Sequence, residues 1–206
     1  PSGGLDRLFE TKGQRRSIKA NATLFGQGQR VESVVQIVSG IVRCCTFSED
    51  GHRHIFRFAG PGDLLGFVEA DTWHFTAEAI GNVQFRSVPA HLFEQELAVD
   101  RAMQRQLRRI ILDEFERRER QLGCVSFMQA DDRVLTLLSE LEDVLHTEAG
   151  FAVMPMTRQD IGDYLGMSLE TVSRAFSSLK RSGKIRTDGA NKFAVIDTDP
   201  VHARAA

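Results

Sequence analysis

The sequence predicts an α+β chain: an antiparallel β-roll, then one long helix, then a winged helix-turn-helix. Three observations predict it. Residues 17–88 alternate apolar and polar positions in short runs broken by turn signals, the period of strands. From Pro89 onward the period changes to that of helices, with a stretch from 100 to 124 that holds no Pro and only Gly123 near its end. Near the C-terminus a capped helix, a glycine and a second capped helix follow one another within 25 residues, and a hairpin comes after them. These divisions give a roll over 1–99, a pairing helix over 100–125 and a winged helix-turn-helix over 126–206.

In the first region Ile41, Arg43, Cys45 and Phe47 fall on one side of an extended run, with Val42, Cys44 and Thr46 on the other. His54, Phe56 and Phe58 alternate with Ile55 and Arg57 in the same way. Turns at 26–28, 39–40, 49–51 and 60–63 separate strands at the spacing of a small antiparallel barrel or roll. A short helix is predicted over 91–97. Along the long helix Met103, Leu107, Ile110, Ile111 and Phe115 form a narrow apolar stripe flanked by charged residues. Such a seam suits a second copy of the same helix or the roll's own surface. At roughly 37 Å the helix would overhang so small a roll, which favours a homodimer interface built from these five residues. Val134, Leu137, Leu138, Leu141 and Leu145 mark the next helix, with Asp131 and Asp132 at its start.

The segment TRQDIGDYLG at 157–166 opens on Thr157 with Asp160 three residues later, close to a capping box. Ile161 and Leu165 face inward, and Gly166 falls where the chain needs a left-handed turn. Ser168 caps a second helix over 169–181, whose apolar side is Val172, Phe176 and Leu179. On its other side Glu170, Ser173 and Arg174 stand at i, i+3 and i+4 on the turns that enter a major groove in helix-turn-helix proteins. Arg pairs with guanine O6 and N7, Glu accepts from cytosine N4, Ser serves either, and Leu169 suits a thymine methyl. Thr157, Arg158, Ser168 and Thr171, at or near helix N-termini, are candidates for phosphate contacts. The plainer alternative is an ordinary i, i+4 pair between Glu170 and Arg174, worth about 0.2–0.5 kcal/mol. A hairpin over 185–196, turning near Asp188 and Gly189, forms the wing. The net charge of −2 carries no signal of nucleic acid, but residues 157–193 hold seven basic side chains against four acidic.

TRQDIGDYLG followed by ETVSR at 170–174 resembles the signature of the CRP/FNR family of bacterial regulators, in its FNR and FixK-like branch. The resemblance extends to GPGDLLG at 60–66, to ADDRV at 130–134 and to nearly the whole chain. It implies a cyclic-nucleotide-binding-like jelly roll as a sensor, a dimerisation helix, and a DNA-binding domain that reads double-stranded DNA as a homodimer. It also implies contacts to RNA polymerase and TTGA-like half-sites whose G·C pair is read by Arg174 and Glu170. The half-site centres would lie about 34 Å apart. The FixK-like group implies activation of genes for oxygen-limited respiration and nitrogen fixation.

No cofactor is expected. Residues 67–76, where cyclic-AMP-binding relatives hold the cyclic phosphate, contain no Arg, and a buried phosphate without a cation is costly. A cluster needs about four thiolates, whereas the chain has Cys44, Cys45 and Cys124, with Arg86 in place of the last cluster cysteine of that branch. Haem-sensing relatives place Cys and His after the turn at 62–63, where neither stands. The alternative is a regulator that responds to an unidentified small ligand in the roll. Cys124 is a candidate redox residue, because Arg117, Arg118 and Arg120 would lower its pKa; an inert buried thiol is the other reading. The spacing of His52 and His54 suits a metal pair, but no carboxylate follows within four residues, so neither a metal site nor an enzyme is expected. No apolar run is long enough to span a bilayer, 1–10 lacks a leader's apolar core, and three cysteines without a disulfide framework fit the cytoplasm.

Overall fold

The computed structural model describes residues 4–67, 71–142 and 145–196. The chain divides into two compact units, Pro1–Arg118 and Glu119–Ala206. The long helix α3 (Arg101–Phe127) therefore contributes to both units.

In the first unit, helix α1 (Gly4–Lys12) precedes β1 (Gln14–Ile18), β2 (Thr23–Phe25), β3 (Ser33–Phe47), β4 (Arg53–Ala59), β5 (Leu64–Leu65) and β6 (Thr76–Pro89). All strand pairs are antiparallel, in the order β1-β6-β3-β4, with β2 added to β6 and β5 to β3. Helix α2 (Ala90–Val99) follows the last strand directly. The roll is thus as the alternation predicts. Cys44 pairs with Arg57 and Cys45 with Ile55, which leaves Phe56 as an unpaired bulge residue on β4. Cys44 and Cys45 are both fully buried, and burial pushes the Cys44 thiol up to about 12.

The roll's interior is filled by its own side chains. Trp73 stacks on Phe25 with ring centres 3.4 Å apart, and Phe75 meets both edge-on at 5.3 and 5.7 Å. Each such pair adds about 0.5–1.5 kcal/mol beyond the area it buries. Gly66 is required beside this cluster, since a methyl built on it would run into the Trp73 indole. One cation lies inside as well. Arg57 is buried, with Nη2 3.0 Å from Asp63 Oδ1 and Nε 3.4 Å from Glu114 Oε2 of α3. Glu114 in turn stands 3.5 Å from Arg118, whose guanidinium covers Phe56.

A second cluster joins α1, α2 and the start of α3: Leu5, Leu8, Phe9, Phe93, Met103 and Leu107 are all buried together, with Ile110 partly covered. Here the structure corrects the sequence-based seam. Met103 and Leu107 belong to the roll's own core, because α1, which the sequence did not suggest, covers that face. Ile111 and Phe115 stay 47% and 61% exposed, and are joined by Leu112 and Leu122.

In the second unit α4 (Ala130–Glu142) packs against α6 (Leu169–Arg181) and β10 (Lys192–Val195). Helix α5 (Arg158–Leu165) lies against α6. β7 (Thr147–Glu148), β8 (Phe151–Val153) and β9 (Ile185–Asp188) complete a four-stranded sheet, β7-β8-β10-β9. The wing is therefore wider than the predicted hairpin, because 147–153 adds two strands. The sequence-based helix over 134–145 passes through residues 143–144, which lie outside the described residues, as do 68–70 of the stretch 67–76 and the last ten residues of the C-terminal division. No helix among the described residues is long and apolar enough to cross a membrane.

Candidate nucleic-acid interface

The reading head begins with a closed capping box. Thr157 Oγ1 accepts from the Asp160 amide at 3.1 Å, and Asp160 Oδ2 accepts from the Thr157 amide at 3.0 Å and from its hydroxyl at 2.7 Å. Both donors of Thr157 are thus engaged by Asp160. The residue is a helix cap, and its hydroxyl is committed to Asp160 in the unbound chain.

Between the two helices Gly166 adopts φ +65°, a left-handed conformation that glycine takes without strain. Gly162, one turn earlier, is needed for space: a methyl there would stand 2.5 Å from the Met167 carbonyl oxygen, and the Met167 amide donates to Gly162 O at 2.9 Å. The turn therefore closes tightly and α6 follows α5 as one body. Ser168 caps α6, accepting from the Thr171 amide at 3.2 Å, and its hydroxyl lies 2.9 Å from that of Thr171. Two hydroxyls that share one hydrogen bond keep one proton free, so this pair retains a donor for a phosphate at a helix N-terminus.

The four base-reading candidates come together on the uncovered face of α6. Leu169 is 47% exposed, and Glu170, Ser173 and Arg174 are exposed beside it. Arg174 Nη2 stands 3.2 Å from Glu170 Oε1, and Ser173 Oγ donates to Leu169 O at 2.9 Å. The ion pair is open to water, where such pairs contribute about 0–1 kcal/mol, so its two side chains separate at little cost. The opposite face, Val172, Ala175, Phe176 and Leu179, is buried as the period requires.

Arg158 occupies an unexpected place. Its guanidinium lies 3.0 Å from the centre of the Phe176 ring, and Nη1 is buried without a hydrogen-bond partner. Partial burial lowers its pKa from 12.5 to about 10, which leaves it charged at neutral pH. On the wing, Lys192 is drawn to Glu148 at 2.9 Å and Arg186 leans on Phe151. The local basic excess is therefore partly neutralised.

Cys124 departs from the redox expectation. It is buried, and burial, followed by the Glu140 carboxylate, raises its pKa, while Arg133 lowers it less. The charges that act on it are Glu140, Arg133 and Asp132, not Arg117, Arg118 or Arg120. Among the described residues no group of three or more metal-ligating side chains gathers, and His52 faces Asp50 in solvent. Among the described residues the inside of the roll is occupied by its own side chains. Trp73 from the phosphate-holding stretch lies inside it against Phe25 and Gly66, and the buried Arg57 is already met by Asp63 and Glu114. Gln121 and Arg133 were not singled out from sequence, although their amide and guanidinium nitrogens bond the last carbonyls of α5. No periodic pattern signals a donor to another helix's end.

The chain matches the family description "Cyclic nucleotide-binding domain" over residues 15–100 and "Crp-like helix-turn-helix domain" over 132–200. It is 32% identical to the nitrogen fixation regulation protein FixK of Bradyrhizobium diazoefficiens over 97% of this chain and 85% of that protein. It is 30% identical to the transcriptional activator protein FnrA of Stutzerimonas stutzeri over 90% and 78%. The solved structure of FixK2 from Bradyrhizobium japonicum superposes with a TM-score of 0.86 at 32% identity, covering 93% of this chain and 96% of that one. At that identity and coverage the chain belongs to the CRP/FNR family, whose members are transcription regulators that bind DNA and not enzymes.

Proposed function

We infer that the protein is an activator that binds a TTGA-type palindrome as a homodimer, in the cytoplasm, and engages RNA polymerase there. Its targets are genes of oxygen-limited respiration or nitrogen fixation. The observation that carries this reading is the joint exposure of Leu169, Glu170, Ser173 and Arg174 on a helix capped at Ser168, with a spare hydroxyl proton beside them. The names of the FixK and FnrA relatives support the physiology. The exposed Ile111, Leu112, Phe115 and Leu122 support pairing along α3. Arg174→Ala will weaken specific binding by about 1–3 kcal/mol and relax the base preference at one position in each half-site. Competition between site variants measures this, and a loss equal for every sequence would show that Arg174 does not read a base.

A second reading, a regulator with a small effector on the roll, rests on one open groove of about 1230 Å³ lined by Arg30, Glu32, Phe67, His91, Phe93 and Gln104. Native mass spectrometry separates the two readings by the presence of added mass.

A further inference from the structure

The C-terminal end of α5 is held by two side chains from other helices. Gln121, near the end of α3, donates from Nε2 to the Tyr164 carbonyl oxygen at 3.2 Å. Arg133, on α4, donates from Nη1 to the Leu165 carbonyl oxygen at 3.4 Å and from Nε to that of Met128, just beyond α3, at 2.9 Å. The last carbonyls of a helix have no partner within it and carry the negative end of its dipole, so an amide and a guanidinium are well suited to them. Val125 stands close to the turn that follows α5. A methyl on Gly166 would touch Val125 Cγ1 at 3.9 Å, and Cys124 is buried. Gln121, Cys124 and Val125 recur at helical spacing on the last turns of α3, and Arg133 on α4 supplies the other bonds.

We propose that Gln121 and Arg133 are positioning residues that lock the reading head to α3 and thereby set the half-site spacing that the dimer accepts. This rests on the dimeric DNA-binding reading above. The mechanical chain is short. The close contact at Gly162 and Met167 ties α6 to α5. The Gln121 and Arg133 bonds tie α5 to the last turns of α3 and to the start of α4. Leu122, exposed on the same last turns of α3 as Gln121, puts a pairing surface on the body that carries α6, so two copies paired there would present their α6 helices at a separation fixed by these bonds. Neither side chain needs to touch DNA.

The test uses the full chain and three palindromic TTGA-type duplexes: one with the preferred spacer, one a base pair shorter and one a base pair longer. A fourth duplex has the G·C pair of each half-site replaced. In Gln121→Leu and Arg133→Met the preference for the best spacer falls about three- to tenfold, the scale of one lost hydrogen bond. The penalty for the replaced G·C pair stays as in the wild type. Arg133→Lys keeps an intermediate preference, because an ammonium gathers its donors on one nitrogen and lacks the separated Nε and Nη1 donors that reach Met128 and Leu165. Thermal melts run beside the titrations identify folded variants; if Arg133→Met does not fold, the half-buried Gln121→Leu carries the test. An unchanged spacer preference in folded variants, or equal weakening on all duplexes, overturns the proposal while leaving the DNA reading intact. A wild type that binds TTGA and scrambled duplexes alike overturns both.

Discussion

Arg158 combines an observed packing role with a proposed phosphate contact. Its guanidinium covers the Phe176 ring on the inner side of α6, and its Nη1 lacks a partner. That nitrogen is buried, so a phosphate would have to be met by the other guanidinium nitrogens. Arg158→Ala will therefore lose stability and affinity together. Loss of the cation–π contact costs about 0.5–2 kcal/mol, and a chain of this size loses about 2–4 °C of melting temperature per kcal/mol. Binding weakens equally for all sequences, and the slope of log affinity against log salt falls by about one. Titrations at four salt concentrations decide the matter: an unchanged slope beside a lowered melting temperature leaves Arg158 with packing alone. The exposed triad of Glu170, Ser173 and Arg174 was legible in the sequence because helical periodicity alone selects the face opposite Val172 and Phe176. The ring under Arg158 and the full engagement of Thr157 by Asp160 were not legible, since both depend on side-chain directions that spacing does not encode.

At the scale of elements, α3 shows what periodicity can and cannot tell. The stripe from Met103 to Phe115 was visible, but a stripe does not say what covers it. Helix α1 covers its first half: Leu5, Leu8 and Phe9 share a core with Met103 and Leu107, and the Leu5 amide donates to Gln106 Oε1 at 3.0 Å. Nine residues with a single buried face left too short a pattern for α1 to be read beforehand. The two halves of the stripe should respond differently to substitution. Ile111→Glu will yield monomers in sedimentation with little loss of thermal stability. Leu107→Ala will cost about 2–5 kcal/mol of stability and leave the dimer intact. A stable dimer in Ile111→Glu would move the seam elsewhere on the helix.

For the molecule as a whole, the order of roll, long helix and winged reading head was legible because each part has its own period and its own turn residues. The content of the roll was legible only in part. The missing Arg in 67–76 argued against a bound phosphate, whereas the stacking of Trp73 on Phe25 emerges only once strands distant in sequence are brought together. Cyclic AMP at millimolar concentration will not raise the melting temperature. A ligand present at about 100 times its dissociation constant would add about 2.7 kcal/mol, so a rise of several degrees would show that the aromatic cluster opens to admit it. Arg57 has an energetic consequence of its own. Peeling the middle of α3 away from the strands would remove one of the two carboxylates that meet the buried guanidinium among the described residues, and loss of one partner from a buried ion pair costs several kcal/mol. Helix and strands at that point consequently melt in a single cooperative step, and fraying from the helix side stops at Glu114.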